Sequence, residues 1–178
     1  MRRGLLVALM MVFSFSMVAC GGAEKKQDFS KAPDWYDAPM KGCGVGSAKL
    51  RSVRDLARQS AVSSARADLS RGLSTQVDAM LKRYMAEGEA EGQDFSEELT
   101  KSVVRDVTSQ TLVGTRVAVT QVMNNEFYAM VCLDPETFAD AFSRMDKLSQ
   151  KAREALNKRA KAEFDDMDEQ IKKLNEQK

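Results

Sequence analysis

Histidine is absent from all 178 residues. The commonest general base and the commonest metal ligand at neutral pH go with it. Proline occurs three times, cysteine three times and tryptophan once. There is no C-x-x-C pair, no G-x-S-x-G nucleophile turn and no P-loop. Beyond residue 20, no apolar run approaches the roughly 20 residues a membrane-spanning helix needs. Neither sign of charge dominates, with 27 basic against 26 acidic side chains. Such a chain lacks the basic stripe that nucleic acid requires, so no nucleic-acid partner is expected. No enzymatic activity, cofactor or metal is expected either.

What is present begins at the first residue. "MRRGLLVALMMVFSFSMVAC" has a basic head (Arg2, Arg3), an apolar run from Leu5 to about Phe15, then small or weakly polar residues to Ala19. That is the layout of a secretory signal peptide. It closes on Met17-Val18-Ala19-Cys20 followed by Gly21-Gly22. Bacterial lipoproteins carry a box of this kind, usually with leucine where Met17 stands. The cysteine is needed because its thiolate is the nucleophile that takes up a diacylglyceryl group as a thioether. The small Ala19 gives the peptidase access to the next bond. The expected cleavage lies between Ala19 and Cys20, leaving Cys20 as an N-palmitoyl, S-diacylglycerol cysteine. The competing reading is ordinary export, with Cys20 left free or disulfide-bonded.

Burying acyl chains contributes about 0.8 kcal/mol per methylene, and two or more chains hold firmly where one does not. An acylated Cys20 would therefore anchor the chain to the membrane. Cleavage also removes Arg2 and Arg3, so 27 less two leaves 25 basic against 26 acidic side chains, a formal charge of about −1. Gly21 after the cysteine, rather than aspartate, favours the outer membrane.

The mature chain opens on "GGAEKKQDFSKA" (21–32), a small and charged tether. Extended, it reaches up to roughly 40 Å. Pro33 and Pro39 then bracket a stiff approach. Gly42, Gly44 and Gly46 alternate with Cys43, Val45 and Ser47, which predicts a short strand in close backbone contact with a neighbour. A dinucleotide-binding turn would need a third glycine and a preceding apolar strand, and both are missing.

Residues 48–85 predict a helix, with Leu50, Val53, Ala57, Ala61, Ala65, Leu69, Val77, Met80, Leu81 and Tyr84 on one stripe. Alanine in the middle of that stripe lets a neighbour come close, and Gly72 marks a site for a bend. The opposite face carries Arg51, Arg54, Asp55, Arg58, Arg66 and Arg71. It is either a solvated surface or a contact for acidic lipid or polymer. Residues 85–96 read as a loop, with Asp94 or Ser96 capping a second helix that runs to about Ser109. Leu99, Val103 and Val107 point inward from it.

The rhythm then alternates. "TLVGTRVAVTQV" (111–122) and "FYAMVCL" (127–133) flank Asn124-Asn125, predicting an antiparallel hairpin. Asp134-Pro135 starts a helical pattern that lasts to the end of the chain. If continuous, it would run about 66 Å at 1.5 Å per residue, longer than a small domain covers. Beyond Met145 it would have to project, self-associate as an imperfect coiled coil, or meet a partner. "DDMDE" (165–169) lacks the alternation and glycine of a calcium loop and reads as a solvated face. Cys43 and Cys132 stand open between a disulfide formed in an oxidising compartment and two buried thiols.

In their order and spacing, "PDWY" before "GVGSA", "ARQSAVSSARADLSR", "TLVGTRV" and "FYAMVCLD" resemble the Lpp-twenty family of small bacterial lipoproteins. The resemblance covers roughly residues 33–142. It implies a small α+β domain on an outer-membrane lipoprotein, among relatives that are surface antigens or flagellar accessory parts, and it carries over no catalytic residues.

The expected chain is a signal peptide (1–19), a lipidated tether (20–32), an Lpp-twenty-like α+β domain (33–142) and an extended charged amphipathic helix (143–178). Its fold class is α+β, a small antiparallel sheet of a glycine-rich strand plus hairpin, packed by helices. The expected function is a lipid-anchored, non-catalytic interaction module of the outer membrane. Its partners would be the membrane through Cys20, copies of itself through 143–178, envelope or flagellar-associated proteins, or peptidoglycan. The alternative is a ligand-binding lipoprotein with a small molecule or lipid held between the alanine-rich helix and the hairpin.

Overall fold

The computed structural model describes residues 32–51, 53–88, 90 and 94–176. The expected signal peptide, its expected cleavage site at Ala19 and the expected lipidation site Cys20 lie outside the described residues. A short helix α1 (Asp34–Asp37) leads into strand β1 (Cys43–Lys49), helix α2 (Arg54–Ala86) and helix α3 (Glu97–Val113). The hairpin β2 (Arg116–Met123) and β3 (Glu126–Cys132) follows, then α4 (Pro135–Ser143), α5 (Gln150–Glu163) and α6 (Met167–Glu176).

The fold class is α+β as expected. The three strands form one antiparallel sheet in the order β1-β3-β2, with β3 central. Asn124 and Asn125 adopt positive φ values of 50° and 62°, the left-handed pair that a two-residue hairpin turn requires. On one face of β3, Phe127, Ala129 and Val131 pack against Ala57, Ala61, Ala65 and Leu69 of α2. On the other face, Met130 and Cys132 meet Trp35 of α1 and Ile171 and Leu174 of α6. The sheet is thus the middle of three layers.

The glycine–alanine pairing explains how close the first two layers sit. A Cβ added at Gly44 would lie 2.3 Å from the Leu69 backbone nitrogen. One at Gly46 would lie 2.4 Å from both the Ala61 carbonyl oxygen and the Ala65 nitrogen. The helix backbone rests directly on the strand backbone, which only glycine on one side and alanine on the other permit.

Three boundaries differ from expectation. The first long helix starts at Arg54 because β1 continues to Lys49. Val53 becomes its exposed N-cap position, Leu56 is exposed, and Leu73 joins the buried stripe. The helix continues through Gly72 to Ala86. Helix α3 is capped by Ser96, whose hydroxyl accepts from the Leu99 amide at 3.2 Å, and it runs past Ser109 to Val113. Thr111, read above as strand, is instead the next inward position after Val103 and Val107, and its hydroxyl donates to the Val107 carbonyl at 2.7 Å.

The C-terminal helical stretch is there, but in segments. Asp134 caps α4 by accepting from the Thr137 amide at 2.8 Å, as the sequence predicts. The chain then turns at Arg144–Ser149, and Ser149 caps α5. The amide of Asn157 donates to the Ala139 carbonyl at 2.8 Å, tying α5 back to α4. A second break at Phe164–Asp166 precedes α6. Leu148, Ala152, Leu156, Ala160, Phe164 and Met167 are buried in the main core with Leu69, Val103 and Phe142. Burying each large apolar side chain among them contributes roughly 2 kcal/mol. The seam expected to project is covered by the chain itself, and Phe164 stacks edge-on against Phe138 at 5.4 Å.

Candidate interaction surface

The two edges of the sheet are finished differently. The Val45 amide on β1 points away from β3 and donates to the Asp68 carboxylate of α2 at 3.1 Å. The Cys43 amide turns back to the Met40 carbonyl at 3.0 Å. The edge of β1 is therefore capped at these donors, a common defence against unwanted strand pairing. We expect Asp68→Ala to cost about 1 kcal/mol, because the carboxylate is partly exposed. Faster hydrogen exchange at the Val45 amide is the direct readout; unchanged exchange would show that Asp68 does not guard this edge.

Among the described residues, the edge of β2 has no such cover. Antiparallel pairing alternates bonded and outward-facing residues. With Val45 outward and the observed register, Val119, Gln121 and Met123 face β3, while the backbones of Thr120 and Val122 face away. A bulge between Val117 and Val119 adds local twist. Helix α2 lies over β1 and β3 and leaves that face of β2 open. Val117 and Val122 are accordingly 38% and 42% exposed.

Between α2 and β2 runs a groove of about 460 Å³ lined by Asp55, Arg58, Gln59, Val62, Ser63 and Arg66 with Val117. Arg66 reaches across to the Thr115 hydroxyl at 3.3 Å. Arg58 makes no ion pair among the described residues. Asp55, Arg58 and Arg66 of the charged face read from the sequence line this groove, and all six residues named on that face are exposed. A second groove, of about 550 Å³, lies between α2 and α3 with Ser70, Ser74, Thr108 and Val104 on its floor and walls. Between the alanine-rich helix and the hairpin, where a ligand site was the alternative, Ala57, Ala61, Ala65 and Leu69 pack directly on β3, and the open space is the groove beside β2.

Cys43 and Cys132 stand directly opposite each other on β1 and β3 and are joined as a disulfide. Near the other end of the sheet, Ser47 donates to Glu126 at 2.7 Å and Tyr128 donates to the same carboxylate at 3.3 Å. Burial, with Glu126 beside it, pushes the Tyr128 phenol above its ordinary pKa. It is therefore held protonated, the opposite of what a catalytic base needs.

Among the described residues, no three acidic or cysteine side chains converge as a metal site. Asp168 of the "DDMDE" run pairs instead with Arg116. No described helix is long and apolar enough to cross a membrane. Compared with models of known families and with curated proteins, the chain matches none.

Sequence reasoning missed the open edge of β2. Its signal was faint: Val117 and Val122 look like core residues until α2 is known to stop short of them.

Proposed function

We propose that this chain is an acylated lipoprotein of the bacterial outer membrane, whose α+β domain is a non-catalytic interaction module. The observation that carries this reading is Met17-Val18-Ala19-Cys20 at the end of a basic-then-apolar leader. Acyl chains on Cys20 supply the anchor, and residues 21–32 supply reach. The domain then displays its surfaces in the envelope to its own copies, envelope or flagellar-associated proteins, or peptidoglycan. The likeness to the Lpp-twenty family supports the same placement. A disulfide in the domain fits export to an oxidising compartment.

The test is Cys20→Ser in cells fed a radiolabelled fatty acid. Label incorporation should be lost, residues 1–19 should stay attached by mass, and acyl-dependent sorting to the outer membrane should fail. A variant that is still processed and still fractionates with the outer membrane would defeat the proposal.

A further inference from the structure

Three observations converge on β2. Among the described residues its outer backbone finds no partner, whereas on β1 the outward amides of Cys43 and Val45 are capped by Met40 and Asp68. The face beside it is apolar and exposed at Val117 and Val122. The facing wall, on α2, carries Arg58 and Arg66 against the single acid Asp55. Beyond the bulge between Val117 and Val119, such an edge strand is a template for another strand. A groove between such an edge and a helix gives that strand's side chains somewhere to go.

We propose that β2 takes an extended segment of a partner protein as a fourth strand, one that directs acidic side chains towards Arg58 and Arg66. The outward amides and carbonyls of Thr120 and Val122 supply the backbone hydrogen bonds. Side chains alternate along the added strand, so every second one lies on the α2 side. There, carboxylates meet the arginines and smaller apolar groups meet Val62 and Val117. The excess of positive charge is what selects an acidic segment. This deepens the interaction-module reading and rests on it, but it concerns the folded domain and not the anchor.

The test uses the full acylated chain in non-ionic micelles and fluorescently labelled short peptides, read by anisotropy. One peptide alternates valine with glutamate; the control alternates valine with lysine. The glutamate peptide should bind at least tenfold more tightly. Thr120→Pro removes an outward amide while leaving the ladder to β3 whole, and should weaken binding at least tenfold. Arg58→Glu, at an exposed helix position, should weaken the glutamate peptide and reverse the preference. It keeps the test open if the proline variant does not fold.

Equal binding of the two peptides, no binding at millimolar concentration, or indifference to both substitutions would overturn the proposal. So would dimerisation in sedimentation that Thr120→Pro abolishes, which would make a second copy the occupant. Unchanged processing and outer-membrane fractionation of the Cys20→Ser variant, with peptide binding intact, would defeat the anchor alone.

Discussion

Reducing the bond between Cys43 and Cys132 lowers the stability of the domain by about 4 to 5 kcal/mol in the chain-entropy model. The two cysteines are 89 residues apart, and the loop between them contains α2, α3 and β2. Opening it returns most of the domain's length to the freedom of the unfolded chain. With a urea slope of about 2 kcal/mol/M, the unfolding midpoint should fall by roughly 2 M in the presence of reductant. The double variant Cys43→Ala/Cys132→Ala should reproduce that fall and then be insensitive to reductant. Identical midpoints with and without reductant in the unaltered chain would show that the bond contributes nothing. Loosening is expected first where β1 meets β3, since the bond sits at the start of β1 and the end of β3.

Substituting the glycines of β1 acts on the native state instead. Gly44→Ala and Gly46→Ala should each cost about 3 kcal/mol or more, at or above the top of the usual range for overpacking. Most overpacked sites relax by turning a side chain. Here the obstructing atoms include the main chain of α2, at 2.3 to 2.4 Å from the new Cβ, and a helix backbone cannot turn aside. Relief would mean lifting α2 off the sheet and opening the interface of Ala57, Ala61, Phe127 and Ala129. Gly72→Ala is the matched control. A Cβ there meets nothing within 4 Å, and the position is exposed within α2. It should stabilise by about 0.5 to 1 kcal/mol through better helix propensity. Urea titration of the three variants reads both signs. A harmless Gly46→Ala would mean that helix and strand are not in backbone contact.

Several features of the site and fold were legible because they are local. The alternating glycines, the alanine stripe, the Asn-Asn turn and the Asp-Pro start of α4 each carry their conformational reason within a few residues. Thr111 misled because a β-branched residue next to valine suits a strand by propensity, yet Val103, Val107 and Thr111 keep helical spacing and share one buried face. The seam from Leu148 to Met167 misled differently. Its periodicity correctly marked apolar positions, but periodicity does not say whether a helix stays straight. The serine cap at Ser149 and the tie from Asn157 to Ala139 depend on the turn that they stabilise.

By itself the sequence determined a basic-then-apolar leader ending at Cys20 as a pattern, the α+β class and the presence of a tightly packed glycine strand, since each follows from residue type and short spacing. Only the tertiary structure decided which sheet edge stays open, that Cys43 lies opposite Cys132, and that the C-terminal helices fold back onto the core. Those facts depend on contacts between residues far apart in the chain, where burial of apolar surface and the direction of α2 across the sheet outweigh any local preference.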